Sequence, residues 1–193
     1  IYVNGGCNTI SITNNRFYQT GTRTWTSGAE HNAINIQNST AASGAQAFTV
    51  TGNIIGYASN AQTGTYSLTG SSGTFRGIRF NGITGGTISN INNNTIASVS
   101  LTGVTSSGTT TSSPFTGIMI NNGLVNTNSN NIGSQVATGS LIFSTNTTTA
   151  TDVHAIFGFA SDAWVSNSNN IGGITANNAG ATGAFIFYGM RTN

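Results

Sequence analysis

Of 193 residues, 107 are Gly, Asn, Ser or Thr, only 4% are charged, and the formal net charge of +2 comes from five Arg against two Asp and one Glu. Arg16, Arg23, Arg76, Arg79 and Arg191 are scattered along the chain and Lys is absent, which excludes the basic cluster a nucleic-acid partner needs. No run of 18 apolar residues occurs to cross a membrane as a helix, and two Asp, two His and one Cys are too few for Asp-rich calcium turns or a zinc site.

The chain opens on Ile1-Tyr2-Val3-Asn4-Gly5, where apolar side chains at alternate positions predict a strand. Cys7 stands alone, so no internal disulfide can form; it reads as a small half-buried residue. Ile12-Thr13-Asn14-Asn15-Arg16-Phe17 then introduces a second pattern, an Asn followed two positions later by a large apolar residue. The Thr-rich stretch Thr20 to Thr26 reads as a strand, and Glu30-His31 as a loop pair before the strand motif Ala33-Ile34-Asn35-Ile36.

From there the patterns recur. The Asn motif returns at Asn53-Ile54-Ile55, Asn94-Thr95-Ile96, Asn130-Asn131-Ile132 and Asn169-Asn170-Ile171. Asn15, Asn53, Asn94, Asn130 and Asn169 therefore form one column, with spacings of 38, 41, 36 and 39 residues, in the range that marks solenoids. The second motif, a small residue and then apolar-x-apolar, returns at Gly77-Ile78-Arg79-Phe80 and Gly117-Ile118-Met119-Ile120, then as Ile156-Phe157-Gly158-Phe159 and Ala184-Phe185-Ile186-Phe187. A third, weaker strand lies between them, as in Tyr66-Ser67-Leu68-Thr69 and Ser140-Leu141-Ile142-Phe143. Polar loops fill Ser106 to Pro114 and Thr145 to Thr151. The last copy is short, because Phe185 follows Phe157 by only 28 residues.

Three short strands per turn, with Gly/Asn/Ser/Thr corners, predict an all-β fold: a right-handed parallel β-helix of about five coils of roughly 39 residues, formed by residues 1–193 as one segment. No window has the spacing of an amphipathic helix. The Asn column is expected at sharp corners, where Asn tolerates a left-handed conformation and its amide bonds the Asn above and below. The expected inward columns are Ile34, Ile78, Ile118, Phe157, Phe185 and Ile36, Phe80, Ile120, Phe159, Phe187. Asn35, Arg79, Met119, Gly158 and Ile186 are expected to face outward. The chain starts inside one strand motif and stops just after another, without capping elements, so it reads as a segment of a longer repeat array.

Chemistry has few carriers. Asp152, His154 and Asp162 crowd the fourth copy, and a carbohydrate hydrolase or lyase would need such groups at set separations on one face. They read as surface residues at strand ends, so no catalytic, cofactor or metal site is assigned. Tyr2, Tyr18, Trp25, Tyr57, Tyr66 and Tyr188 read as outward aromatics of the ordinary half-buried kind.

The Asn-Asn-x-Ile and Gly-Ile-x-Phe-Asn-Gly phrases, set among Ser/Thr/Gly loops, resemble the repeat regions of large bacterial surface adhesins of the Bacteroidetes type, exported by type IX secretion and including gliding adhesins. The resemblance covers essentially the whole chain and implies an extracellular or cell-surface location, further repeats as neighbours, surface polysaccharide as a partner, and no catalytic residues. The expected function is a non-enzymatic structural or adhesive segment. A pectate-lyase-like carbohydrate-active enzyme is the alternative. An ice-binding solenoid stands third, because the Thr array from Thr20 to Thr26 is broken at Leu68 and Phe143.

Overall fold

In the computed structural model the short apolar runs form parallel strands, each stacked on its equivalent one turn of the chain away. The structure describes residues 1–25, 28–37, 47–70, 73–104, 108–135, 140–159, 162–178 and 183–193. Thr26 and the Ser106-Ser107 part of the polar loop lie outside them.

Four sheets result. Sheet A has six strands: Tyr2–Asn4, Glu30–Gln37, Thr74–Asn81, Phe115–Asn122, Thr151–Gly158 and Phe185–Thr192. Sheet B has Thr9–Thr13, Ala47–Thr51, Ser89–Asn92, Val125–Asn128 and Trp164–Asn167. Sheet C has the short strands Arg16–Phe17, Ile54–Gly56, Thr95–Ala97, Asn131–Gly133 and Asn170–Gly172. Sheet D has Arg23–Thr24, Tyr66–Thr69, Val99–Val104, Leu141–Thr145 and Ile174–Asn178. A single 3-10 turn, Thr110–Ser112, is the only helical element among the described residues. This is an all-β parallel solenoid, with four strands to a turn where the sequence suggested three. The Asn motif is the reason: it is a corner that divides one expected strand into two, one in sheet B and one in sheet C.

The Asn column stacks as expected. Asn94 shows the full pattern. Its backbone N–H and its Nδ2 both donate to Asn130 Oδ1, at 2.9 and 3.1 Å. Nδ2 donates again, to the Val50 carbonyl at 2.8 Å, while Oδ1 accepts from the backbone N–H and Nδ2 of Asn53, both at 3.0 Å. The pattern repeats from Asn15 to Asn53 and from Asn130 to Asn169. Asn53, Asn94 and Asn130 have no exposed surface. Each amide thus satisfies corner groups that would otherwise be buried without partners, at about 1–3 kcal/mol apiece.

The left-handed conformation belongs to the residue before each ladder Asn: Asn14, Gly52, Asn93, Ser129 and Ser168, with φ between 54 and 70°. That residue supplies the bend, so the ladder Asn is free to aim its amide inward. Two positions after a ladder Asn, Ile55, Ile96 and Ile132 are buried in the core as expected, and Phe17 and Ile171 pack against it partly buried.

The inward columns hold in the first three copies and shift in the last two. Ile34, Ile78 and Ile118 align with Ile156, not Phe157, and Ile120 lies opposite Gly158. Phe157 lies opposite Met119, Phe159 falls beyond the strand at 48% exposure, and Phe185 aligns with Thr151. Phe185 and Phe187 both pack against the core, but in other columns than expected: Phe185 stacks on Phe143, while His31, Phe75, Phe115, Val153 and Phe187 align. The fourth copy of the motif is therefore Ala155-Ile156-Phe157-Gly158. A Cβ on Gly158 would meet the Trp164 ring at 2.8 Å, so that indole occupies the space of the missing side chain. With this register Val153 to Phe187 spans 34 residues, and the last turn is only slightly short.

The small residue of the motif has a steric cause. A Cβ on Gly77 would lie 2.7 Å from both the Gly117 carbonyl oxygen and Ile96 Cδ1, because the strand bends there towards sheet C. Alternation slips at the bend, so Phe75 and Ile78 both join the core although they are three residues apart.

Two stability measurements follow from this packing. Asn94→Ala should lower stability in chemical denaturation by about 4 kcal/mol, since it orphans several buried polar groups; Asn15→Ala, at a half-buried rung, should cost less. Met119 sits on the outer side of its strand yet is only 2% exposed. Met119→Asp and Ile118→Asp should therefore both cost several kcal/mol, whereas Thr13→Asp, at an exposed strand position, should leave the denaturation midpoint nearly unchanged.

Candidate functional site

The residues able to do acid–base or ionic chemistry gather on the outer side of sheet A. At one position of successive strands stand Asn32, Arg76, Thr116, His154 and Tyr188. Three positions further along stand Asn35, Arg79, Met119, Phe157 and Arg191. Glu30 and Asp152 complete the group near the strand starts. Arg191, more than 110 residues from Arg76 and Arg79, shares one face with them, a clustering that sequence spacing did not reveal. Ile186 pairs with Asp152, so the expected outward set gives way to one rich in charge.

Every charge in the group has a partner. Arg79 Nη1 donates to Glu30 Oε1 at 2.6 Å, and Arg76 Nε lies 3.5 Å from Glu30 Oε2, an ion-pair contact outside hydrogen-bond geometry. Arg191 Nη1 donates to Asp152 Oδ2 at 2.5 Å, and the Arg191 guanidinium sits 4.7 Å from the Tyr188 ring centre. Arg76 has no exposed surface, and its two terminal nitrogens donate to the Phe75 and Thr111 carbonyls. Burial lowers its pKa to about 10, opposed by Glu30 and reinforced by Arg79, so it stays charged at neutral pH.

The loop Gly108–Pro114 covers this face. The Asp152 N–H donates to the Gly108 carbonyl at 3.0 Å, and the Ser113 hydroxyl donates to the Phe115 carbonyl and lies 3.1 Å from both Thr116 Oγ1 and His154 Nδ1. With the hydroxyl proton directed to Phe115, Nδ1–H donates to Ser113 Oγ. His154 Nε2 is buried without a hydrogen-bond partner. The imidazole stacks between Phe157 and Tyr188, with ring centres 4.8 and 5.4 Å away. Burial holds its pKa down to about 4; Asp152 pulls upward, and Arg191 and Arg76 push it lower.

Asp152 and His154 lie on one side of their strand, but they are buried and not the surface residues expected from the sequence. Asp162 is elsewhere, past the far end of the strand, where its Oδ2 accepts the Gly85 N–H. Glu30 and His31 belong to a strand, not a loop, and face opposite ways. His31 points inward, stacked on Phe75 at 5.6 Å with Nε2 2.6 Å from the Tyr66 hydroxyl. Burial, helped by Arg23, lowers the His31 pKa, and burial raises that of Tyr66. Tyr66 is thus a core residue; of the expected outward aromatics only Tyr2 and Tyr18 are well exposed. The Cys7 thiol donates to the Asn4 carbonyl at 3.6 Å. A cavity of about 340 Å³ beside Ile1 is lined by Arg16, Tyr18, His31 and Tyr66 among others.

Two other faces are polar but uncharged. On sheet D, Thr24, Thr69, Thr102, Ser144 and Asn177 align outward, while the neighbouring column carries Ile142 between Ser100 and Thr175. On sheet B one outward column is Ser11, Thr49, Asn90, Asn126 and Val165. The other is Thr13, Thr51, Asn92, Asn128 and Asn167.

No group of three or more metal-ligating side chains occurs among the described residues, and no helix among them is long and apolar enough to cross a membrane. No family model, curated protein or solved structure matches the chain.

The buried imidazole makes stability depend on pH. The unfolded chain takes up a proton on His154 near pH 6.5 and the folded chain only near pH 4, so stability is lost as pH falls between those values. The full loss is about 3 kcal/mol. Denaturant titrations from pH 7 to 4 should show this slope, and His154→Gln should remove most of it.

Proposed function

We propose that the chain is a right-handed β-helix of about five coils, roughly 39 residues each, serving as a non-enzymatic structural and adhesive segment of a bacterial secreted or cell-surface protein. Further repeats of the same kind are its neighbours along the axis, and surface polysaccharide is its target.

The observation that carries this reading is the condition of the ionisable groups. The Asp152 carboxyl is 3% exposed and held by Arg191, and His154 is sealed under Ser113. Hydrolysis or elimination on a polysaccharide needs an acid and a base that reach the glycosidic bond or its neighbouring carbon. Here those groups are spent on holding one loop against one sheet. Meanwhile the buried amides are spent on stacking turn upon turn, as a spacer requires.

The enzyme reading keeps one specific support, the placement of Asp152, His154 and Arg191 side by side on an outer sheet face. A panel of neutral and acidic polysaccharides separates the two. The adhesive reading expects retention of the protein on at least one insoluble polysaccharide with no release of reducing sugar or unsaturated product. Turnover that disappears in Asp152→Asn or Asp162→Asn would establish the enzyme instead.

A further inference from the structure

Where sheet D has one polar, uncharged column beside a column interrupted by Ile142, sheet B offers a polar, uncharged surface two columns wide. Its two outward columns carry hydroxyls and amides at every level except Val165, and no ionisable group. Of the arginines that would draw an anionic ligand, Arg76, Arg79 and Arg191 lie on sheet A, Arg16 on sheet C and Arg23 on sheet D, and none on sheet B. An uncharged face of hydroxyls and amides complements an uncharged, hydroxyl-rich partner.

The surface is also unobstructed at one border. Between sheets B and C the chain turns in two residues at every level, from Asn14-Asn15 through Ser168-Asn169. The other three borders carry connections of variable length, up to ten residues between Val104 and Phe115. The ladder Asn explains the difference: it fixes the B–C corner so closely that insertion there would break the buried column.

The amides on this face are held in place before any ligand arrives. Asn126 Nδ2 donates to Asn90 Oδ1 at 3.2 Å, Asn92 Oδ1 accepts the Asn128 N–H at 2.8 Å, and Asn128 Oδ1 accepts the Asn167 N–H at 3.0 Å. With their oxygens anchored, Asn92 and Asn128 keep Nδ2 donors in a fixed row at a half-exposed surface. Fixed donors reduce the ordering cost of binding. The row repeats with the strand spacing, about 4.8 Å, which is close to the advance per ring of an extended β-linked hexose polymer. Neighbouring rungs can therefore meet neighbouring sugars.

We infer that the outer face of sheet B binds an extended, uncharged, β-linked polysaccharide lying along the solenoid axis. This deepens the adhesive reading and rests on it. The face reads hydroxyl groups through amide and hydroxyl contacts, without the aromatic stacking or charge pairing that an acidic glycan would use on sheet A.

Co-sedimentation with microcrystalline cellulose tests the assignment, with a pectate-coated resin as the acidic comparison and ice recrystallisation as the test for ordered water. The wild-type chain should pellet with cellulose. Thr51→Lys, in the middle of the face, should weaken that binding at least tenfold, or about 1.4 kcal/mol, while Thr102→Lys on sheet D should not; matched melting curves exclude unfolding as the cause. Cellulose binding equal in both variants, binding to pectate alone, activity on ice alone, or no retention on cellulose would each overturn the sheet B site. Retention on extracted bacterial surface polysaccharide that ignores Thr51→Lys would leave the adhesive reading standing without it. No retention on any polysaccharide would remove both.

Discussion

A stack of parallel strands needs a way to turn sharply at the same place in every repeat without leaving backbone groups stranded in the interior. The Asn ladder meets that need here. Each central Asn uses one oxygen and one nitrogen to satisfy its neighbour's backbone N–H, its neighbour's amide and a carbonyl of the turn before. A buried polar network of this kind is favourable only when complete, and completeness fixes the register of every turn on the next. The inward placement of Ile55, Ile96 and Ile132 follows from it, as does the packing of Gly77 against Ile96. Loops vary elsewhere because the registration does not depend on them.

The ladder and the first three copies of the strand motif were legible in the sequence because both depend on local spacing. Asn at a repeating position and apolar residues two apart are signals that survive irregular loops. The fourth copy departs from its apparent motif for a physical reason: Phe157, Gly158 and Phe159 imitate the motif, while Ala155 and Ile156 fulfil it. Phe157 is buried on the outer side, where its ring stacks on His154 and lies against Phe159. A strand buried on both faces loses its alternation, and the sequence then no longer tells inside from outside.

The charged cluster was hidden for a related reason. Glu30, Arg76, Arg79, Asp152 and Arg191 come from four different repeats, and only the register brings them together. Asp152 and His154, close in sequence, were legible as neighbours; their burial was not, since it depends on a loop from the preceding repeat. In a solenoid, sites are assembled across turns, so spacing along the chain understates them. The same holds for sheet B, where the amide and hydroxyl columns become visible only when Asn90 is placed beside Thr49 and Asn126.

The central claim is that the buried Asn column registers the turns. Amide hydrogen exchange at single-residue resolution tests it most directly, because the backbone N–H groups of Asn53, Asn94 and Asn130 donate to side-chain oxygens of the next rung and not to a β-ladder carbonyl. The account predicts that these three amides exchange as slowly as the slowest strand amides of Ile78 and Ile118, opening only with global unfolding. Exchange at the rate of the connecting loops, with sheet A still protected, would contradict it.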